Sequence, residues 1–186
     1  MGAETMGVLA STVQSGKALY VGLSNYGGER MEQAAALLSD MRVPFIINQN
    51  CYSIFDRSIE HNGLKAASAQ LGKGVIAFSP LAQGLLTDRY LKGIPVDSRI
   101  MTDGRFLNEG ALTQERLDQI RQLNNLAAQR GQTLAQMALG WVLRDGIVTS
   151  VLAGASKPRQ VLDNIRAAEN TRFTQEELAL IDQISP

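Results

Sequence analysis

The sequence has little of the chemistry that suits a secreted, membrane-bound or nucleic-acid-binding protein. Cys51 is the only cysteine, so no internal disulfide can form and a reducing, cytoplasmic location is expected. No apolar run is long enough to cross a membrane, and the first residues show no signal-peptide pattern. The 18 basic and 18 acidic residues balance without a long run of like charge, which excludes broad binding to nucleic acid or a membrane surface. We therefore expect a small-molecule partner.

Histidine is as scarce as cysteine. The only one, His61, falls in the polar segment Glu60–Gly63, which predicts a loop residue rather than a site at the end of an apolar strand. No group of His, Cys, Asp and Glu has metal-ligand spacing, and no G-x-G-x-x-G motif follows a strand. No metal site is expected.

Four apolar runs of strand length alternate with stretches of helical periodicity. The runs are Ala18–Ser24, Pro44–Gln49, Val75–Ser79 and Val151–Ala153, and the first predicts a parallel strand covered on both faces. The helical stretches are Glu4–Ser15, Glu29–Met41, Leu64–Leu71, Thr113 to Arg130, Thr133 through Leu143 and Thr174 to Ile184. This order predicts an α/β fold with a parallel sheet, either half of an eight-fold barrel or a small doubly wound sheet.

Length and composition limit the organisation further. With 186 residues, 45% of them hydrophobic, the chain is long enough for one core, whereas a whole (β/α)8 barrel needs roughly 250 residues. We expect a single partial domain over residues 1–186. The segment from Gly93 to Ala111 has little periodicity and is too long for an ordinary connection, which predicts a lid or clamp loop. Trp141 shares its helix face with Met137 and Ala138, which predicts a core residue.

A strand that turns sharply into a helix marks the most suggestive stretch, Thr149–Asn164. Pro158 suits the first turn of a helix, and Ser156, Lys157 and Arg159 surround that helix start. Backbone N–H groups, the helix dipole and these side chains could together hold an anion such as phosphate. The alternative is a plain strand-to-helix corner with a solvated basic start.

Four motifs in chain order give the sequence its family resemblance. They are Gly22–Asn25 after the first strand, Gln49 at the end of the second, Phe78–Gly84 after the third and Gly154–Asn164 after the fourth. With them the sequence resembles the C-terminal half of an aldo-keto reductase. The resemblance is strongest to the branch with bacterial glyceraldehyde-phosphate reductase-like enzymes and the β subunits of voltage-gated potassium channels. It implies four parallel strands with helices, as half of a (β/α)8 barrel.

The resemblance also implies a bound NADP(H). It assigns the nicotinamide carboxamide to Ser24, Asn25 and Gln49, and it stacks the nicotinamide ring on Phe78. It assigns the pyrophosphate to Ser79, Leu81 and Gly84 beneath Arg89 and Arg99, the 2′-phosphate to Arg99, Ser156 and Gln160, and the adenine to Asp163 and Asn164. Pro80 and Gly154 complete the implied cofactor-binding set, and Arg89 stands where the family commonly has lysine.

The main departure from the family pattern is the absence of its proton donor. The Asp, Tyr, Lys and His that carry out its chemistry come from strands that precede Glu4, and they are not in this sequence. Tyr20 and Tyr52 have no lysine at the family's spacing, and Cys51, although close to Gln49, is expected to be a small packing residue. We therefore assign no catalytic residue and expect the chain alone to be inactive.

Three functions stay open on the sequence. The first is an NADP-dependent oxidoreductase that reduces aldehydes or ketones. The second is another phosphate-binding barrel enzyme, such as a phosphosugar isomerase or aldolase, and the third is a nucleotide-sensing regulatory subunit like the channel β subunits. Because the strands containing Tyr20 and Val151 would be open edges of the sheet, we also expect homo-oligomers or poor solubility.

Overall fold

Strands and helices alternate along the part of the chain that the structure, a computed structural model, describes: residues 2–95, 99–102 and 109–186, with the backbone alone at 99, 102 and 109. The strands are β1 (Val21–Ser24), β2 (Phe45–Cys51), β3 (Gly74–Phe78) and β4 (Val148–Leu152). The helices are α1 (Ala3–Gln14), α2 (Gly28–Asp40), α3 (Ser58–His61), α4 (Leu64–Leu71), α5 (Arg99–Thr102), α6 (Gln114–Gln129), α7 (Leu134–Leu143), α8 (Pro158–Ile165) and α9 (Gln175–Ile184). The strands stand in the order β1-β2-β3-β4, and the pairs β1–β2 and β2–β3 are parallel. The predicted α/β fold with a parallel sheet is confirmed.

The sheet belongs to the first of two compact units, which comprises the chain up to Tyr52, Arg57–Phe78 and Asp145–Val151. One face of this sheet is buried, by side chains that alternate along the strands: Leu23, Asn48, Asn50, Val75 and Ala77. Helix α2 packs against α1 and α4, and its buried residues are Gly28, Met31, Ala34, Ala35 and Leu38. The buried residues of α2 recur at helical spacing, and those of the strands recur at every second position, as expected where a helix covers one face of a sheet.

The prediction that the first strand is covered on both faces is wrong. β1 begins only at Val21, and its burial alternates, with Val21 and Leu23 buried and Gly22 and Ser24 exposed. The preceding Leu19 and Tyr20 are 78% and 60% exposed. An apolar run predicts burial, but a strand at the sheet edge with helices on one face cannot bury every side chain of that run.

Helix α2 starts where two loops of the first unit pass unusually close. A Cβ atom on Gly28 would lie 2.5 Å from the carbonyl oxygen of Gly63, so only glycine fits without movement. The N–H of Gly28 donates to the carbonyl of Asn62 at 2.9 Å. The beginning of α2 is thereby held against the loop that begins α4.

The second unit comprises Ser53–Asp56, Ser79–Arg144 and Leu152–Pro186. Helix α6 packs against α7 and α9. The core of this unit includes Leu123, Trp141 and Ile181, none of which is more than 1% exposed. The prediction of Trp141 as a core residue is confirmed. Thr113 caps α6, and Thr133 and Thr174 form capping boxes at α7 and α9, so each of these threonines begins the helical stretch predicted from it.

Arg130 follows α6 and ties several segments of this unit together. Its guanidinium donates to Glu177, to the carbonyl of Arg172 at 2.9 Å and to Gln132 at 2.9 Å. It also lies 3.8 Å from the centroid of the Phe173 ring. Because its side chain is only 5% exposed, this charge depends on those partners.

β4 and α8 differ from the rest in how little they bury. The strand begins at Val148 rather than Val151, and only Val148 within it is fully buried. Helix α8 starts at Pro158, as predicted, but buries no residue. Its Val161, Leu162 and Ile165 are 47%, 63% and 63% exposed.

The predicted lid or clamp loop over residues 93–111 contains α5 and a 3₁₀ turn at Glu109–Ala111. Residues 96–98 and 103–108 lie outside the described part of the chain. The clamp therefore stays a prediction, as does the single partial domain.

Candidate functional site

Three polar side chains from the first two strands come together at the carboxyl end of the sheet. Ser24 ends β1 and lies in register with Gln49 of β2, so both side chains are on the same, open face. The N–H of Asn25 donates to the carbonyl of Gln49 at 2.9 Å, which carries the β1–β2 pairing one residue beyond the strand. Ser24 and Asn25 are exposed, and Gln49 is half-buried. The structure thus places Ser24, Asn25 and Gln49 beside one another, with their polar groups accessible.

Asn25 turns the chain out of β1 in an uncommon backbone conformation. Its φ of 58° lies in the left-handed region, which asparagine tolerates better than most residues other than glycine. Such a conformation costs of order 1 kcal/mol or more and persists when surrounding contacts determine it. Outliers of this kind cluster at functional sites.

Phe78 lies on the same open face of the sheet. It ends β3 in register with Cys51 of β2, two pairs further along than Gln49 and Ile76, so it lies on the same face. Phe78 and Cys51 are both half-buried. An aromatic ring and a thiol therefore continue the face that Ser24 and Gln49 begin.

The segment that follows β3 in the chain, Ser79–Gly84, belongs to the second unit and has a strained backbone. Ser79, Ala82, Gln83 and Gly84 have φ values of 53°, 47°, 59° and 100°. The side-chain amide of Gln83 donates to the hydroxyl of Ser79 at 2.9 Å and closes the turn on itself. The N–H groups of Ala82 and Gly84 also donate within the segment, to the carbonyls of Ser79 and Leu81, both at 2.9 Å.

Two arginines of the implied cofactor site follow that turn. Arg89 lies in a 3₁₀ turn, where its N–H donates to the hydroxyl of Thr87 at 3.3 Å, and its side chain is half-buried. The backbone of Arg99 begins α5, and its side chain lies outside the described part of the chain.

Gln160 is occupied as a cap at the start of α8. Its side-chain oxygen accepts from the N–H of Ser156 at 2.8 Å, the hydroxyl of Ser156 at 3.1 Å and the N–H of Lys157 at 3.1 Å. The amide nitrogen of Gln160 takes no part in those three bonds. Ser156 and Lys157 are exposed, so the helix start is open to solvent.

Asp163 and Asn164 follow along α8. The carboxylate of Asp163 lies 3.8 Å from Nε of Arg159 and 3.9 Å from Nη1 of Arg166, both of them well-exposed arginines. Its backbone carbonyl accepts from the side chain of Gln136 at 3.2 Å, which fixes α8 to α7. Asn164 is half-buried.

A comparison with known protein families identifies the relatives of this chain. Residues 2–186 match the profile of the aldo/keto reductase family. The chain is a member of that family. Its relatives include L-glyceraldehyde 3-phosphate reductase of Escherichia coli, 49% identical over 97% of this chain and 53% of the relative. A putative voltage-gated potassium channel subunit beta of Schizosaccharomyces pombe is 33% identical over 97% of this chain and 54% of the relative.

The fold agrees with this membership. A thermostable aldo-keto reductase solved with the inhibitor epalrestat superposes with a TM-score of 0.72 at 24% identity, over 98% of this chain and 54% of that one. The predicted resemblance and the predicted fold, about half of a (β/α)8 barrel, are confirmed. The aldo-keto reductase chain described here spans about half the length of the relatives that it matches.

Tyr52 has a charged environment that the sequence did not reveal, although it is unsuited to donating a proton to a substrate. It is fully buried, its hydroxyl donates to Glu60, and Nζ of Lys65 lies 5.5 Å from the centroid of its ring. Lys65 in turn bonds to Asp145. The ammonium of Lys65 therefore faces the ring of Tyr52 rather than its hydroxyl, and the carboxylate of Glu60 accepts the hydrogen bond from that hydroxyl. Tyr52 is thus a structural residue of this aldo-keto reductase chain.

The remaining reactive groups lie away from such an arrangement. His61 is exposed at the end of α3, not on an apolar strand end, and Tyr20 is exposed just before β1. Across residues 2–95, 99–102 and 109–186, no three His, Cys, Asp or Glu side chains are grouped as metal ligands. Over the same residues, no helix combines the length and the hydropathy needed to span a membrane.

Sequence reasoning missed two residues that lie directly behind the strand-end group. Asn48 and Asn50 flank Gln49 on β2, and both side chains are buried on the opposite face of the sheet, where they contact Tyr26. The signal was present as a polar Asn-Gln-Asn run at the end of an apolar strand. Its two-residue period separates Gln49 from its neighbours.

Proposed function

We propose that this chain belongs to an NADP(H)-dependent aldo-keto reductase that reduces aldehydes or ketones, and that it supplies the cofactor-binding residues. The observation that carries the proposal is the group formed by Ser24, Asn25 and Gln49. A nicotinamide carboxamide has one acceptor and two donor hydrogens, and serine, asparagine and glutamine offer both kinds of partner. Hydrogen bonds from several directions would fix which face of the ring is presented.

The phosphates are assigned to residues of the second unit by their chemistry. The pyrophosphate is assigned to the segment Ser79–Gly84, including Pro80 and Leu81, and to Arg89, whose guanidinium is the kind of group that pairs with phosphate oxygens. The helix start beside Gly154, Ser156 and Gln160 suits the 2′-phosphate. Arg99 is proposed to contact both, and Asp163 and Asn164 the adenine.

The reaction needs more than these residues. Bound NADPH would supply the hydride, and Phe78 would stack on its ring while the strand-end group orients it. Reduction of a carbonyl also requires a positioned acid, and we assign none here. We therefore propose that the 186 residues alone bind NADPH without reducing aldehydes, and that L-glyceraldehyde 3-phosphate is the first substrate to try with the protein that carries an acid site.

The test compares two glutamine variants of the first unit by calorimetric titration with NADPH. Gln49→Ala should weaken binding about 5- to 30-fold, as expected for two lost hydrogen bonds of ordinary net strength. Gln33→Ala changes an exposed helix residue whose side-chain amide donates to Glu29, and it should leave the affinity unchanged within about twofold. Equal affinities for the two variants would refute the assignment of Gln49.

A regulatory subunit is the second candidate, because a relative at 33% identity carries the name of a potassium channel subunit beta. A regulatory subunit would bind NADPH without turnover even in the protein that carries an acid site, and it would capture a channel from solubilised membranes. A phosphosugar isomerase or aldolase is the third candidate. It would bind a sugar phosphate but show no preference for the nicotinamide.

Self-association is proposed as well. β1 and β4 are the outer strands of the sheet, and the exposed Leu19 and Tyr20 adjoin the first of them. Open strand edges pair readily with other chains. Sedimentation at increasing concentration should show oligomers, and a concentration-independent monomer would contradict the proposal.

A further inference from the structure

Two buried asparagines behind Gln49 share one hydrogen-bond acceptor. Asn48 is 0% and Asn50 6% exposed, and their side-chain amides donate to the carbonyl oxygen of Tyr26 at 3.0 and 3.2 Å. A carbonyl oxygen has two lone pairs, so both are used. Tyr26 directly follows Asn25, the residue whose left-handed backbone turns the chain out of β1.

The orientation of both amides follows from that shared acceptor. If either amide were flipped, its oxygen would face the carbonyl of Tyr26 and the bond would become a repulsion. The second hydrogen on the amide nitrogen of Asn48 points towards the sulfur of Met31, at 3.7 Å, which requires the same orientation. Each asparagine is thus a donor to the turn.

The arrangement is an unfavourable way to fill a core. The surrounding residues of this face, Leu23, Val75 and Ala77, are apolar, and the side-chain oxygens of Asn48 and Asn50 accept no hydrogen bond from any residue that the structure describes. Buried acceptors without a partner lower stability, whereas apolar residues of similar shape would not. Packing alone gives no reason for two amides here.

We propose that Asn48 and Asn50 are positioning residues that hold the turn at Asn25 for nicotinamide binding. Three contacts fix that turn. The N–H of Asn25 donates to the carbonyl of Gln49, and the carbonyl of Tyr26 accepts two hydrogen bonds from the asparagines. Gly28 also packs against the loop at 62–63. Together they determine a conformation that Asn25 would otherwise leave. The part that concerns nicotinamide rests on the proposed function, and the part that concerns the turn does not.

The test uses the double variant Asn48→Leu/Asn50→Leu in the purified protein, with Ser68→Ala as the matched control. Ser68 is 1% exposed and contacts the same Met31 sulfur, but it is not bonded to Tyr26. If the asparagines position the turn, the double variant keeps its midpoint of thermal unfolding within about 4 °C, because the unpartnered oxygens are gone. If the two asparagines only stabilised the fold, replacing them would lower the midpoint of thermal unfolding by an amount that reflects the two lost hydrogen bonds.

The first readout needs no cofactor. Hydrogen exchange at the Asn25 N–H, followed by nuclear magnetic resonance, should become about 10- to 100-fold faster in the double variant, as for two lost hydrogen bonds. Exchange in α4 should not change, and Ser68→Ala should leave Asn25 as it is. Unchanged exchange at Asn25 in the double variant would overturn the inference. If the double variant does not fold, each single variant keeps one donor and should show an intermediate rate, and a wild-type rate in both would equally overturn it.

The second readout compares NADPH with 2′-phospho-ADP-ribose, which lacks the nicotinamide. The double variant should bind NADPH about tenfold more weakly and 2′-phospho-ADP-ribose equally well within about twofold. Equal losses for both ligands, or no loss for either, would refute a role at the nicotinamide. If the wild-type protein binds neither ligand, the proposed function fails, and hydrogen exchange still decides whether the asparagines hold the turn.

Discussion

The Gln160→Glu substitution separates the helix cap made by Gln160 from its proposed contact with a 2′-phosphate. Glutamate keeps the acceptor oxygen, so the bonds from Ser156 and Lys157 can persist. Its negative charge at the start of α8 should stabilise the helix by about 0.3–1 kcal/mol. The protein should therefore unfold at the same temperature as the wild type or slightly higher.

The same charge should repel a 2′-phosphate. Two unit charges about 4 Å apart interact by about 1 kcal/mol in water and about 4 kcal/mol at an effective dielectric constant of 20. Ser156 and Lys157 are exposed, so a penalty of about 1–3 kcal/mol is reasonable, which corresponds to an NADPH affinity about 5- to 150-fold weaker. NADH carries no such phosphate, so its affinity should change by less than about twofold.

The assay is calorimetric titration of the wild type and the variant with NADPH and NADH at low and high salt, together with thermal melts. The NADPH loss should shrink as salt screens the two charges. An unchanged ratio of the NADPH and NADH affinities would mean that no 2′-phosphate lies near Gln160, which would then be a cap only. Gln160→Ala is the complementary variant, because it should cost the cap about 0.5–2 kcal/mol of stability.

Three further predictions concern stability. Gly28→Ala should lower the free energy of unfolding by about 1–3 kcal/mol through overpacking, measured by urea titration, whereas Gly7→Ala, with nothing within 4 Å of its added carbon, should not lower it. Arg130→Met should cost about 1–3 kcal/mol, because the 5% exposed guanidinium loses its charged hydrogen bond to Glu177, a carboxylate that is 21% exposed and keeps its bond from the N–H of Thr174. Arg121→Met, from a pair about half exposed, should cost less than about 1 kcal/mol, and equal costs would contradict the burial argument. The pKa of Glu176 is lowered below 4.5 by a hydrogen bond from its own backbone N–H and by one from the side chain of Thr174. The carboxylate of Glu176 therefore stabilises the fold fully above pH 4.5, and this stabilisation is lost as the pH falls through the lower pKa of the folded state. The Glu176→Gln variant should have a shallower loss of stability in acid.

Local signals predicted the elements well because their causes are local. A capping box satisfies the N–H groups at a helix start within one turn, as Thr133 does with Gln136 and Thr174 with Glu177. Each box is therefore recognisable from four consecutive residues of the sequence. Pro158 opens α8 for the same kind of reason. The polar strand ends Ser24 and Gln49 also follow from strand length and chain order.

Features that depend on tertiary packing could not be predicted. Ser79, Ala82 and Gln83 carry side chains that ordinarily avoid positive φ, so only Gly84 signalled the strained turn. The family resemblance likewise assigned Gln160 only a ligand role, because which polar group caps a helix depends on the rotamer that the side chain adopts. Lys65 stands 13 positions from Tyr52, and only the tertiary fold brings its ammonium over that ring.

The register of β2 decides what the Asn48–Gln49–Asn50 run does. Gln49 faces the open side of the sheet with Ser24, while the asparagines on either side face the helices and hold the turn of Asn25. Because side chains alternate, a slip of one residue would bury the glutamine and expose both amides. One pairing therefore sets both the proposed contact to the nicotinamide and the support of that contact. The register shifts between Val21 and Gly22, where Ile46 is the extra residue of β2, so a change there should disturb binding and turn together rather than one alone.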